Sequence, residues 1–177
     1  MPADRIRVIE RLARPVADAD IRSLAELLVD TVDSGAAVSF VAPLTVERSE
    51  RWWRDMLAAS DPRAIILVAR DRHGIVGSVQ MHPAWAPNQP HRAEIAKMMT
   101  RLSHRGRGVA TALMRTAEEL AMRRNRTLLV LDTASDGGAA GLYEKLGFTL
   151  AGEIPDYALK PHGGLSGTLI YWKRIGA

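Results

Sequence analysis

The sequence predicts an α/β protein: a mixed sheet with helices on its faces, in one domain over residues 1–177. Three observations predict it. Short apolar blocks of strand length alternate with stretches whose apolar residues recur at helical spacing. One block, Thr127 to Asp132, is apolar on both faces, as in a central strand covered on both sides, and the helical stretch before it makes a strand-helix-strand crossover. A chain of 177 residues, 47% hydrophobic and 25% charged, is long enough for one well-buried core and short for two.

In chain order, Ile6 to Leu12 reads as an opening strand, and Asp18 to Val32 as a helix, with Ile21, Leu24, Ala25, Leu28 and Val32 on one face. A second helix is expected over Val46 to Ala59. Between them, the glycine-containing loop Asp33 to Phe40 leaves Phe40 near a helix junction, where it either lines a substrate cleft or anchors the loop. Arg63 to Arg70 carries the apolar block Ala64 to Ala69, a buried strand; Asp71-Arg72-His73-Gly74 is its hairpin turn, and Ile75 to His82 the return strand. Pro83 to Pro90 contains three prolines and suits neither helix nor central strand. Arg92 to Leu102 is the next strand, and Val109 to Arg124 a helix burying Leu113, Ala117, Leu120 and Ala121. After the crossover strand, Gly137 to Leu146 predicts a last helix, closed by Gly147 in a left-handed cap, with a strand starting at Phe148 and a final strand over Leu165 to Ile175.

The segment Arg105-Gly106-Arg107-Gly108-Val109-Ala110 lies between a strand and an amphipathic helix. Glycines let backbone approach an anion closely, and a helix start supplies unpaired N–H groups and partial positive charge. The segment reads as a phosphate cradle or as an ordinary basic turn. A P-loop would need lysine and Ser/Thr after the second glycine, and the dinucleotide fingerprint a third glycine where Thr111 stands. What remains is Arg-x-x-Gly-x-Ala. Downstream, Ala139 to Phe148 is a short helical stretch with Tyr143 near its middle and Gly147-Phe148 at its close.

These two motifs, in this order and separation, resemble those of the GNAT acyl-CoA-dependent N-acetyltransferases, and the likeness runs over nearly the whole chain. It implies a mixed, mostly antiparallel sheet and acetyl transfer from acetyl-CoA to an amine. A narrower resemblance, to the tabtoxin-resistance acetyltransferases within that family, rests on Ser34 to Phe40, Arg92-Ala93-Glu94, Leu131-Asp132-Thr133 and Gly152 to Tyr157. The chain departs from the family pattern at Leu102, where proline is frequent, at Ala110, where glycine is commoner, and at Ala134 to Asp136, where many relatives carry an asparagine.

The resemblance implies roles residue by residue. Met98, Met99 and Thr100 would offer backbone groups to the pantetheine arm and thioester. Gly106, Arg107, Gly108, Val109 and Ala110 would offer backbone donors to the pyrophosphate, with the Arg105 side chain beside them. Tyr143 takes the general-acid position; a phenol of ordinary pKa about 10 is protonated near neutrality and can hydrogen-bond a developing thiolate. Glu94 and Asp132, on adjacent strands if the crossover holds, are the candidate bases for the acceptor amine, directly or through water. The residues alone also allow Tyr143 as core packing, Asp132 as a strand cap and Glu94 paired with Arg92 or Lys97. Phe40 is the candidate acceptor contact.

Composition narrows the remaining classes. Zero cysteines exclude a thiol nucleophile, which favours direct attack of the amine. Histidines 73, 82, 91, 104 and 162 lack paired metal-ligand spacing and lie in turn-rich settings, so no metal is expected and solvated or loop-satisfying roles are. The net charge of +4 is spread; its one cluster, Arg123 to Arg126, sits at a helix C-terminus, where cations favour the dipole, and it is read as structural and not as a nucleic-acid patch. Without a membrane-length apolar run or a signal-peptide core in Met1 to Arg5, a cytoplasmic protein is expected, monomer or homodimer. The expected acceptor is a small, amino-acid-like amine or toxin; peptide or protein N-acetylation and a non-catalytic acetyl-CoA sensor are the alternatives.

Overall fold

A computed structural model describes residues 8–176. The element order is β1 (Val8–Arg11), α1 (Asp18–Asp33), α2 (Val46–Ala59), β2 (Ile65–Arg70), β3 (Ile75–Pro83), β4 (Arg92–Thr100), α3 (Val109–Arg123), β5 (Leu128–Ala134), α4 (Ala140–Lys145), β6 (Thr149–Leu159) and β7 (Leu165–Arg174). The start of the opening strand and the Met1 to Arg5 segment lie outside the described residues. All seven strands form one sheet in the order β1-β2-β3-β4-β5-β7-β6. Every neighbouring pair is antiparallel except β4 and β5, which the α3 crossover makes parallel.

Covering both faces of the sheet explains the unbroken apolar run of β2. Ile65, Leu67 and Ala69 join the core under α3, with Leu113, Met114, Ala117 and Ala121 of that helix. Ile66 and Val68 point to the opposite core, built from Leu24, Leu27 and Leu28 of α1 and Trp53 of α2. The three leucines have no exposed surface. Each such burial contributes roughly 1.5–3 kcal/mol.

The helix starts use different devices. Thr45 caps α2 through its side-chain oxygen, 3.2 Å from the Arg48 backbone N–H. Helix α1 has no side-chain cap but carries Asp18 and Asp20 in its first turn, complementing the dipole. Helix α3 has neither: Gly108 is its N-cap in left-handed conformation (φ 79°), with no side-chain hydrogen bond and no acidic residue in the first turn.

Several boundaries differ from expectation by one residue, β3 among them: it runs on through Pro83, expected in the loop, which sits at the strand end opposite Ala93; three larger differences have local reasons. β2 starts at Ile65 because Asp61 holds the preceding turn, accepting from the Arg63 N–H at 2.8 Å. β4 ends at Thr100 because Leu102–His104 wind into a 3-10 turn. Helix α4 is six residues long instead of ten, since Gly137 and Gly138 favour a turn, the latter with φ 72°.

The feature that opens a site is the separation of β4 from β5. They pair only from Arg92 opposite Leu128 to Glu94 opposite Val130. Beyond that point β4 stays with β3, while β5 stays with β7 as far as Ala134 opposite Thr168. A bulge drives the departure: Ser78 faces Met99 and Gln80 faces Ala96, so two steps on β3 oppose three on β4. Lys97, inside the bulge, has φ 50°. An extra residue bends its strand and adds twist, which turns β4 away from its parallel neighbour.

Candidate active site

A cavity of about 280 Å³ lies where β4 and β5 part. Its walls come from the β4 bulge (Ile95 to Met98), the end of β5 (Asp132 to Ala134), Tyr143 of α4, Tyr157 to Leu159 of β6, Ser166 to Thr168 of β7 and the α1–α2 loop (Ala36 to Ser39). The volume suits a small molecule or the reactive end of a longer one. The β4 edge facing it beyond Glu94 has no strand partner, so its backbone groups are available to a ligand.

Tyr143 is both a core residue and part of this wall, at 5% exposure. The Tyr-x-x-x-Gly-Phe sequence explains its placement. Gly147, at φ 82°, ends α4 with its N–H donating to the Glu144 carbonyl at 2.9 Å, and the Phe148 N–H donates to the Tyr143 carbonyl at 3.0 Å. That is a Schellman closure, and its usual apolar contact is Phe148 edge-on to Tyr143, ring centroids 6.0 Å apart. Tyr171 packs on Tyr143 at 6.1 Å. Burial, then the negative charge of Asp132, pushes the Tyr143 phenol up to about 12. It is therefore a proton donor across the physiological range.

Asp132 is exposed toward the cavity and accepts a hydrogen bond from Thr168 Oγ1 at 3.0 Å. Glu94 lies on the adjacent strand as expected, opposite Val130, but it is exposed and outside the cavity wall. Its other cross-strand neighbour is His82. Burial lowers the His82 pKa, partly offset by Glu94, and His82 Nε2 lies 2.9 Å from Gln80 Oε1. Neither Arg92 nor Lys97 pairs with Glu94: Arg92 donates to Gln89 Oε1 and Lys97 to Ser39 Oγ.

Phe40 is not in the cavity wall either. It packs edge-on against Trp52, centroids 5.0 Å apart, while Ala36 to Ser39 of the same loop make the wall. Of the β4 residues, Met98 lines the cavity, the Met99 side chain is buried under α1 and α2, and the Thr100 hydroxyl is buried without a hydrogen-bond partner.

The Arg105 to Ala110 segment forms the start of α3. Gly106 (φ 72°) and Gly108 (φ 79°) are both left-handed, and a Cβ at either would meet nothing within 4 Å. The segment thus borders open space, and the first N–H groups of α3 have no side-chain cap. Its position is held from below: Val109 is fully buried, and α3 lies so close to Gly77 of β3 that a Cβ there would be 2.8 Å from Val109 Cγ1. It is held from the side by Arg105, which donates to Ser34 Oγ at 3.0 Å. Arg101 adds a brace to α1 through Asp30 at 2.8 Å and Glu26 at 3.3 Å.

Sequence reasoning missed two parts of this arrangement. His104 is buried at 7% exposure, its Nε2 3.3 Å from Asp71 in the β2–β3 hairpin, so it ties the turn before the cradle to the sheet. The Leu-Ser-His-Arg turn residues offered no periodicity to reveal it. Lys97, half-buried in the wall, entered the sequence reading only as an alternative partner for Glu94. In the arginine cluster at the end of α3, Arg124 donates to the Arg63 carbonyl and Arg126 to that of Pro90.

The acetyltransferase (GNAT) family profile matches residues 29–148, which spans the cradle, β5, α4 and its Gly-Phe closure. The chain belongs to the GNAT acetyltransferase family. It is 25% identical over 149 residues to an L-methionine sulfoximine/L-methionine sulfone acetyltransferase of Pseudomonas aeruginosa, covering 83% of this chain and 85% of that protein. It is 31% identical over 100 residues to a streptothricin acetyltransferase of Escherichia coli, 55% of each chain. Among solved structures, YncA of Salmonella typhimurium with its cofactor acetyl-CoA superposes with a TM-score of 0.75 at 16% identity, over 96% of this chain and 94% of that one. The fold and the activity are those of an acetyl-CoA-dependent N-acetyltransferase. Among the described residues there is no grouping of three or more His, Cys, Asp or Glu that could hold a metal, and no helix is long and apolar enough to cross a membrane.

Proposed function

We propose that this GNAT enzyme acetylates the amine of a small, amino-acid-like molecule by direct attack within the β4–β5 cleft, a reaction of the kind named for the methionine sulfoximine/sulfone relative. The observation that carries it is the convergence of Tyr143 and Asp132, a phenol held protonated and a carboxylate exposed to the same small cavity, beside a free strand edge and an uncapped helix start.

The residues present fit acetyl-CoA. Glycines 106 and 108 leave the cradle unfilled, the first turn of α3 has no carboxylate to repel an anion, and the N–H groups from Gly106 to Ala110, with the Arg105 and Arg107 guanidiniums, suit a pyrophosphate. The unpaired edge at Met98 to Thr100 suits an amide-bearing pantetheine arm. Bound there, acetyl-CoA supplies an activated acyl group and a thiolate leaving group.

This chain's own residues then divide the proton work. Asp132, fixed by Thr168, takes a proton from the acceptor ammonium directly or through one water, and Glu94 acts from farther out through solvent. Tyr143 donates its phenol hydrogen where sulfur gains negative charge; the Schellman closure and Phe148 keep its ring fixed, so no reorganisation is needed at that moment. Aliphatic and backbone walls from Ala36 to Val38 limit bulk water.

The test is thiol release with mass identification of products, using methionine sulfoximine, methionine sulfone and related small amines beside short peptides. The reading expects acetylated small amines at far higher kcat/KM than any peptide. Efficient peptide acetylation without small-amine activity would overturn it.

A further inference from the structure

We infer that Lys97 is the receptor for a carboxylate on the acceptor, so that the enzyme selects zwitterionic α-amino acids over amines that lack an acid group. This deepens the substrate reading above and rests on it.

Lys97 sits in the wall of the reaction cavity together with Asp132. Its backbone, at φ 50°, adopts a conformation that non-glycine residues avoid, and it does so inside the bulge that parts β4 from β5. Bulges beside active sites re-aim side chains, and backbone strain persists where the surroundings impose it. The ammonium is then fixed from two sides: Nζ donates to Ser39 Oγ at 2.8 Å and lies 5.9 Å from the centroid of the Trp52 ring. Trp52 is itself held by Phe40 and Trp53, each ring 5.0 Å away. No carboxylate among the described residues lies within ion-pairing distance of Nζ.

An ammonium has three donors. Ser39 uses one, and the Trp52 face supports the charge without using another. The remaining N–H groups belong to a fixed, partly desolvated cation with no carboxylate in direct contact among the described residues, on the wall of a cavity whose other charged group is the Asp132 carboxylate. A cavity with one fixed cation and one fixed anion matches a compact zwitterion: the acceptor carboxylate at Lys97, its ammonium at Asp132. The charges around Lys97 agree with this polarity. Burial lowers the Lys97 pKa, Asp132 and Glu94 partly offset that, and an arriving carboxylate would offset it further. The match also orients the acceptor, because the amine is then presented between Asp132 and the reactive end of the cavity.

The experiment compares a small α-amino acid acceptor with its carboxamide, in wild-type enzyme and in Lys97→Met and Lys97→Arg. Taking the variant-to-wild-type ratio for each acceptor cancels their different amine basicities. Lys97→Met is expected to lower kcat/KM about 10- to 100-fold for the amino acid, as loss of a charge-assisted hydrogen bond would, and less than about threefold for the carboxamide; Lys97→Arg should recover part of the loss. A second readout needs no variant: an amine-free carboxylate of the same length should inhibit wild-type enzyme competitively against the acceptor, and its carboxamide should not. Equal losses for both acceptors, or equal inhibition by acid and amide, would overturn the assignment while leaving small-amine acetylation intact. Failure of wild-type enzyme to acetylate any small amine would overturn the substrate reading and this inference with it.

Discussion

Gly77→Ala tests how the proposed anion cradle is positioned without touching it. A Cβ on Gly77 would lie 2.8 Å from Val109 Cγ1, 3.1 Å from Leu113 Cδ1 and 3.1 Å from the Met99 carbonyl oxygen. Carbon atoms pack at about 3.5–4.0 Å, so the Val109 methyl must retreat by roughly 0.7 Å. The carbonyl belongs to β4 and cannot swing aside, which leaves α3 to move outward at its N-terminus. Overpacking of this kind costs about 1–3 kcal/mol, offset by about 0.4–1 kcal/mol from the smaller entropy of the unfolded chain when glycine becomes alanine. The net expectation is a loss of about 1–2 kcal/mol, a fall in Tm of roughly 2–8 °C for a chain of this size. Urea denaturation and calorimetric CoA titration check the two consequences, lower stability and weaker CoA binding. Val109→Ala removes the shortest of these contacts but leaves Leu113 and the Met99 carbonyl in place, so Gly77→Ala in that background should cost less than in wild type, giving a coupling of about 1 kcal/mol between the sites. Additive effects of the two substitutions, with unchanged CoA affinity in Gly77→Ala, would refute the claim that this contact sets the height of α3.

Four further outcomes follow. Gly108→Asp and Gly108→Asn share the left-handed backbone and the open space around that position, so they differ only in charge; calorimetry should show Asp weakening CoA far more than Asn, and equal affinities would remove the cradle from the account. Tyr143→Phe keeps the ring and its packing but deletes the donor, so kcat should fall about 10²- to 10⁴-fold with CoA affinity unchanged. Because the Tyr143 phenol is raised to about 12, it stays protonated while the unfolded chain ionises near 10: its stabilising contribution is present below pH 10 and fades between about 10 and 12, which a pH series of denaturation curves on wild type and Tyr143→Phe would show. Asp132→Asn should depress kcat/KM most below the amine pKa and recover at basic pH, more so than Glu94→Gln, since only Asp132 lines the cavity; a flat pH response in Asp132→Asn would move the base role elsewhere.

The sequence made the repeating parts of this molecule legible. Periodicity located every element from the described part of the first strand to the last, because burial on one face or both writes itself into residue order. The Gly-Phe closure of α4 was legible as well, since only a left-handed C′ residue and an apolar C″ complete that cap. What stayed hidden depends on pairing between distant segments. Ala96-Lys97-Met98-Met99 reads as plain strand, and only its register against Ser78 and Gln80 shows the bulge. The burial of His104 depends on Asp71, thirty-three positions away, to which local pattern gives no clue. Phe40 was located correctly in its loop, but whether it faced the cleft or Trp52 depended on α2. Gly77 did leave a signal, an isolated glycine inside an apolar strand, and that signal means close backbone approach.

Direct transfer, as proposed, requires acceptor and acetyl-CoA to be bound together in the β4–β5 cavity. Initial rates measured across a grid of both substrates, with the intact mass of the protein followed in the absence of acceptor, test it most directly. Direct transfer gives intersecting double-reciprocal lines and no acetylated protein; parallel lines, with an acetyl-protein that is discharged by added amine at a rate matching kcat, would rule it out.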